Sequence, residues 1–77
     1  MIKKDRSHIQ SLMRAFDILE LLSVETRGLT MTEVGRKLDL HKSTVHRILS
    51  SMRERGYIEK SKETGNYRLG LGFIEPR

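Results

Sequence analysis

Lys42, Ser43, Thr44, His46, Arg47 and Ser50 crowd into the stretch KSTVHRILS. They supply an ammonium, hydroxyls, an imidazole and a guanidinium, a set of donors and cations suited to a polyanion that also presents hydrogen-bonding edges. Laid on a helix, Ser43, Arg47 and Ser50 face away from Val45, Ile48, Leu49 and Met52, whose i, i+3, i+4, i+7 spacing makes one apolar stripe. One side packs and the other is free to touch something. Hydroxyls and backbone amides near the start of such a helix meet phosphates, and an arginine one turn on can fork onto guanine, as in a helix lying in a DNA major groove. An ordinary amphipathic helix with a solvated polar face carries the same pattern, so the rest of the chain has to decide between them.

Rival chemistries find little support. Ser43, His46 and Asp39 are the residue types of a hydrolase triad, but one helical segment brings neither a pocket nor an oxyanion hole. His41 and His46 are spaced so that they do not stack on one helix face, His8 is remote, and there is no cysteine, so no metal site is expected. No glycine-rich phosphate loop of the nucleotide-binding kinds is present. The reading is therefore a protein that is not an enzyme, with no catalytic residue, cofactor or metal.

Size and charge agree with that. A chain of 77 residues has room for one small domain with a thin core. A net charge of +5 and a pI near 10.0, at a charged fraction of 32%, indicate a folded basic protein and fit a polyanionic partner, most commonly nucleic acid, although a basic surface also serves an acidic membrane leaflet or no partner at all. Only two Phe and two Tyr are present, too few for the stacking platform that RNA recognition uses, which leaves double-stranded DNA as the preferred partner. The longest apolar run, residues 18–24, is interrupted by Glu20 and Ser23, and no apolar segment follows the basic MIKKDR. Neither a membrane span nor a secretory signal is expected. With no cysteine, a cytoplasmic location fits.

The elements that must hold these residues can be read in order. Residues 1–8 are basic and aperiodic, the composition of a flexible N-terminus. Residues 9–24 predict a helix with Ser7 as its N-cap. Ile9, Leu12, Phe16 and Leu19 are taken as the core stripe, and the adjacent line Ala15, Ile18 and Leu22 as a face for a second copy of the chain. Residues 25–29 read as a loop broken by Gly28. A second helix opens on the T-x-x-E capping box of Thr30 and Glu33, with Met31, Val34, Gly35 and Leu38 on its packed side. Glycine at position 35 predicts a close helix crossing. Residues 39–41 make a turn with Leu40 as its plug, and the helix of the first paragraph follows, ended by Gly56. Residues 57–61 and 67–69 read as strands around the turn signal T-G-N, giving a hairpin made basic by Lys60, Lys62 and Arg68. The expected fold is mainly α with a small β-hairpin: a winged helix-turn-helix of three helices plus wing over residues 9–70. Residues 71–74, LGFI with Gly72 included, start a further apolar element.

These residues carry a family likeness. IQSLMRAFDILELLS, then LTMTEVGRKLDLHKSTVHRILSSMRERGYIEKSKETGNYRLGLGFIE, resembles the N-terminal winged helix-turn-helix domain of the IclR family of bacterial transcriptional regulators, with KSTVHRIL, ERGYIE and YRLG as the specific combination. The resemblance implies an operator-binding homodimer that pairs partly through its first helix. It also implies a linker helix starting near Leu71, with an effector-binding domain beyond it that would sense a small molecule. Lys42, Ser43, Thr44, His46 and Arg47 match the family's recognition-helix residues, and Lys62 with Arg68 falls in its wing. A repressor fits the resemblance, and the residues leave activation equally open. Two departures stand out: Asp39 where the family commonly has Gly, a position for a left-handed turn that aspartate tolerates, and His41 where it commonly has Pro. The alternative to DNA binding is a winged helix used for protein contacts, its basic charge incidental.

Overall fold

The computed structural model describes residues 6–70, with side chains described from Ile9 onward. Three helices precede a hairpin: α1 (Arg6–Val24), α2 (Met31–Leu38), α3 (Lys42–Glu54), β1 (Ile58–Lys60) and β2 (Tyr67–Leu69). The winged helix-turn-helix is therefore the fold. α1 begins at Arg6 rather than Ile9 and includes Ser7, so Ser7 does not cap it. Apolar periodicity sees only the packed stretch, and polar residues extend the helix ahead of it. Residues 1–5 and the expected element at 71–77 lie outside the described residues.

The core is built from Ile18, Leu22, Leu29, Val34, Val45, Leu49, Met52, Ile58 and Tyr67, so every element contributes at least one side chain. On α1 the two apolar stripes have exchanged roles relative to the expectation. Ile18 is 0% and Leu22 3% exposed, with Ala15 half-buried beside them, so this line is the inward face and not one for a second chain. Ile9, Leu12, Met13 and Phe16 keep 49–56% of their surface. Leu19 alone of the expected core stripe packs against the core. Both lines satisfy helical spacing, and the deciding factor is where the rest of the chain lies. Ile18 and Leu22 sit in the half of α1 that leads into the loop and sheet, while Ile9 to Phe16 run along the other half.

α2 starts with the expected capping box: the Glu33 amide donates to Thr30 Oγ1 at 3.1 Å, and the Thr30 amide donates to Glu33 Oε1 at 2.9 Å. α2 and α3 end alike. The Leu40 amide reaches the Gly35 carbonyl (2.9 Å) and the Asp39 amide the Arg36 carbonyl (3.4 Å). At the second helix end, the Tyr57 amide reaches Met52 O (2.9 Å) and the Gly56 amide Arg53 O (3.0 Å). This paired arrangement needs a left-handed residue after the helix. Gly56 supplies it at φ 85°, and Asp39 supplies it at φ 56°, in the conformation a short polar side chain accepts at modest cost. Gly35 packs tightly on the turn and not on the facing helix: a Cβ there would lie 3.1 Å from the Leu40 carbonyl oxygen, but at an ordinary 3.6 Å from Val45 Cγ2 of α3.

The hairpin pairs Ile58 with Leu69, Glu59 with Arg68 and Lys60 with Tyr67. Leu29, expected in a loop, makes an antiparallel bridge to Tyr67, with hydrogen bonds of 2.9 and 2.7 Å in the two directions. A single bridging residue leaves no alternation to read in sequence. The approach is tight enough that a Cβ on Gly28 would fall 2.6 Å from the Tyr67 carbonyl oxygen.

Candidate nucleic-acid interface

α3 is positioned by its apolar side: Val45, Leu49 and Met52 are buried and Ile48 half-buried, which turns Ser43, His46, Arg47 and Ser50 outward. Thr44 is half-buried. The helix starts at the N-cap His41, whose side chain makes no capping hydrogen bond. The first amides of a helix have no partner within the helix, so at α3 they are left to water or to an arriving acceptor. His41, Lys42, Ser43, His46 and Arg47 line one open depression together with Met31 of α2, and no acidic side chain is part of its lining among the described residues. Two cations, two imidazoles and a hydroxyl grouped with one apolar side chain can bind phosphate oxygens and base edges together.

Arg47 also borders a second depression, between α1 and α3, where Leu12 and Ala15 face Ile48 and Met52. The remaining site residues are placed elsewhere. Ser50 lies with Arg53 and Glu54 one turn further along α3. Lys62 is exposed on the hairpin turn. Arg68 sits near Ser23, Glu25 and Thr26 at the end of α1, and its Nε is 3.7 Å from Glu59 Oε1. Both partners of that pair are well exposed, so it contributes little to stability. It does offset part of the positive charge expected on the hairpin. Lys60 Nζ lies 5.4 Å from the centroid of the Tyr67 ring, its cross-strand neighbour.

The hairpin turn is ordered by its own side chains. The Thr64 amide donates to Ser61 Oγ, which donates to Glu63 Oε1, and the Asn66 amide donates to Thr64 Oγ1. Asn66 Nδ2 then donates to the Arg27 carbonyl at 3.2 Å, tying the hairpin to the loop after α1. Sequence reading missed this tie and the place of Met31, because neither leaves a local pattern. His41 was placed in the turn, and its role as N-cap could have been read from the apolar stripe starting at Val45.

Among the described residues there is no group of His, Asp or Glu arranged to hold a metal ion and no helix long and apolar enough to cross a membrane. Comparison with known proteins is specific. The sequence profile of the IclR helix-turn-helix domain matches residues 11–62. The chain belongs to the IclR family. It is 39% identical over 67 residues to the HTH-type transcriptional regulator XynR of Escherichia coli K12, covering 87% of this chain and 27% of that protein. It is 42% identical over 67 residues to the HTH-type transcriptional regulator BhcR of Paracoccus denitrificans, covering 87% and 24%. Among solved structures, the repressor BlcR of Agobacterium tumefaciens superposes with a TM-score of 0.74 at 36% identity, covering 91% of this chain and 27% of that one. An IclR transcriptional regulator from Alicyclobacillus acidocaldarius superposes with a TM-score of 0.78 at 29% identity, covering 84% and 26%. The IclR-family chain thus spans about a quarter of the length of the curated relatives it matches.

Proposed function

We propose that this chain is the operator-binding part of an IclR-type transcriptional regulator, a non-enzymatic protein that acts in the cytoplasm by placing α3 in the DNA major groove. The observation that carries the reading is the outward side of α3: an uncapped start and a depression lined by His41, Lys42, Ser43, His46 and Arg47 with no acidic side chain. Arg47 reads base edges, while Lys42, Ser43, Thr44, His46 and Ser50 divide between bases and phosphates. On the hairpin, Lys62 approaches the backbone or minor groove. Arg68 joins it only by leaving Glu59. Repression, and its relief by a small effector bound to a further domain, are supported by the family membership alone and not by these residues.

The chain acts as a dimer in this reading, through the exposed stripe Ile9, Leu12, Met13 and Phe16 and not through Ala15, Ile18 and Leu22. Four large apolar side chains at i, i+3, i+4 and i+7, each about half exposed, make a face of the kind a second copy covers. Phase sedimentation of wild type and Phe16→Glu tests it: a dimer in the first and a monomer in the second is the expected pair of results.

DNA binding is tested by titrating a duplex from the protein's own upstream region at several salt concentrations. Each phosphate contact adds about −0.9 to the log–log slope, so a steep negative slope is expected, and a slope near zero supports the protein-contact alternative.

A further inference from the structure

We infer that Arg36 of α2, together with Thr32 and Lys42, forms a clamp for one backbone phosphate of duplex DNA, in a depression that adjoins the base-reading groove and shares Met31 and Lys42 with it. The inference rests on the DNA-binding reading of α3 and extends the interface to polar side chains of α2 that had no assigned part in it.

The clamp follows from how the turn is packed. Gly35 has no side chain to fill the space above Leu40, and a Cβ there would meet the Leu40 carbonyl oxygen at 3.1 Å, so that the turn would have to give by a few tenths of an ångström. What remains is an open depression whose floor is Gly35 and Leu40 and whose rim is Thr32, Arg36 and Lys42. Thr32 and Arg36 are one helical turn apart and so stand on the same face of α2. All three rim side chains are polar and exposed, and neither Arg36 nor Lys42 makes an ion pair with a described residue.

The surrounding charges favour an anion. Lys37 adds a further cation next to Arg36. Glu33 is engaged by the Thr30 amide, and Asp39, exposed in the turn, is the one carboxylate close in sequence that opposes them. A guanidinium and an ammonium converging over a shallow floor, with a hydroxyl to donate a third hydrogen bond, match the oxygens of a phosphodiester. Lys42 belongs to both depressions, which fixes the spacing between the clamped phosphate and the bases facing Arg47. The clamp therefore sets register and carries no sequence information of its own.

The test compares Arg36→Ala with Arg27→Ala, an equal loss of charge at an exposed arginine away from the depression, in the intact protein. Each variant, checked for native helicity by circular dichroism, is titrated against the upstream duplex and a random duplex between 50 and 200 mM salt. For Arg36→Ala the slope should flatten by about 0.9, so that the wild-type loss of affinity across that range shrinks by about threefold, equally on both duplexes. Arg27→Ala should leave the slope close to wild type. A folded Arg36→Ala with an unchanged slope, or one no different from Arg27→Ala, overturns the clamp while leaving the α3 reading standing. Absence of salt-dependent duplex binding in the wild type removes both.

Discussion

α2 and α3 end in the same hydrogen-bonded turn and begin in opposite ways. At α2 the first amides are closed off by the chain itself, through Thr30 and Glu33. At α3 the N-cap is His41, and its side chain leaves the amides open. A capped start is worth about 1 kcal/mol to a helix, so leaving one undone forgoes stability unless something else takes those donors. The lesson is a contrast between neighbouring helices: one start is closed by its own side chains, the other leaves its donors open, as the proposed DNA contact requires.

That contrast can be broken by substitutions on either side of it. The largest effect is expected at Arg47: Arg47→Ala should weaken the preferred duplex by roughly 1–3 kcal/mol and relax sequence preference, whereas Lys62→Ala should weaken all duplexes alike. Equal loss on preferred and random DNA for Arg47→Ala would contradict its role in reading bases. Next comes Thr30→Ala, expected to lower unfolding free energy in urea by about 1 kcal/mol while duplex affinity of the folded protein stays as it was. His41→Asp should do the reverse. A carboxylate at that cap raises stability by about 0.5–1 kcal/mol and, by occupying the amides and repelling phosphate, weakens duplex binding. Unchanged binding would mean that the open amides have no ligand. The smallest effect belongs to the shared helix end, where Asp39→Gly should stabilise by about 0.5 kcal/mol, read as a small rise in the urea midpoint with DNA affinity intact.

Much of this was visible in the residues. The Thr30–Glu33 capping box, the tight packing at Gly35 and the outward set on α3 follow from local spacing, which a linear sequence records directly, whereas the αL turn at Asp39 was implied by the family resemblance. The failures are where local spacing is ambiguous or silent. Two helical stripes on α1 fit the period equally well, and only the placement of the loop and sheet decides that Ile18 and Leu22 are the inner pair. The Leu29–Tyr67 bridge and the Asn66–Arg27 hydrogen bond join residues far apart in the chain, with no repeat to announce them. The hairpin's charge was misjudged in degree because a count of Lys and Arg does not show that Arg68 lies beside Glu59.

The Asn66–Arg27 hydrogen bond and the Leu29 bridge have a mechanical consequence. They fasten the hairpin to the segment that leaves α1, so its place is set from two sides at once, by that segment and by the packing of β1 against α3.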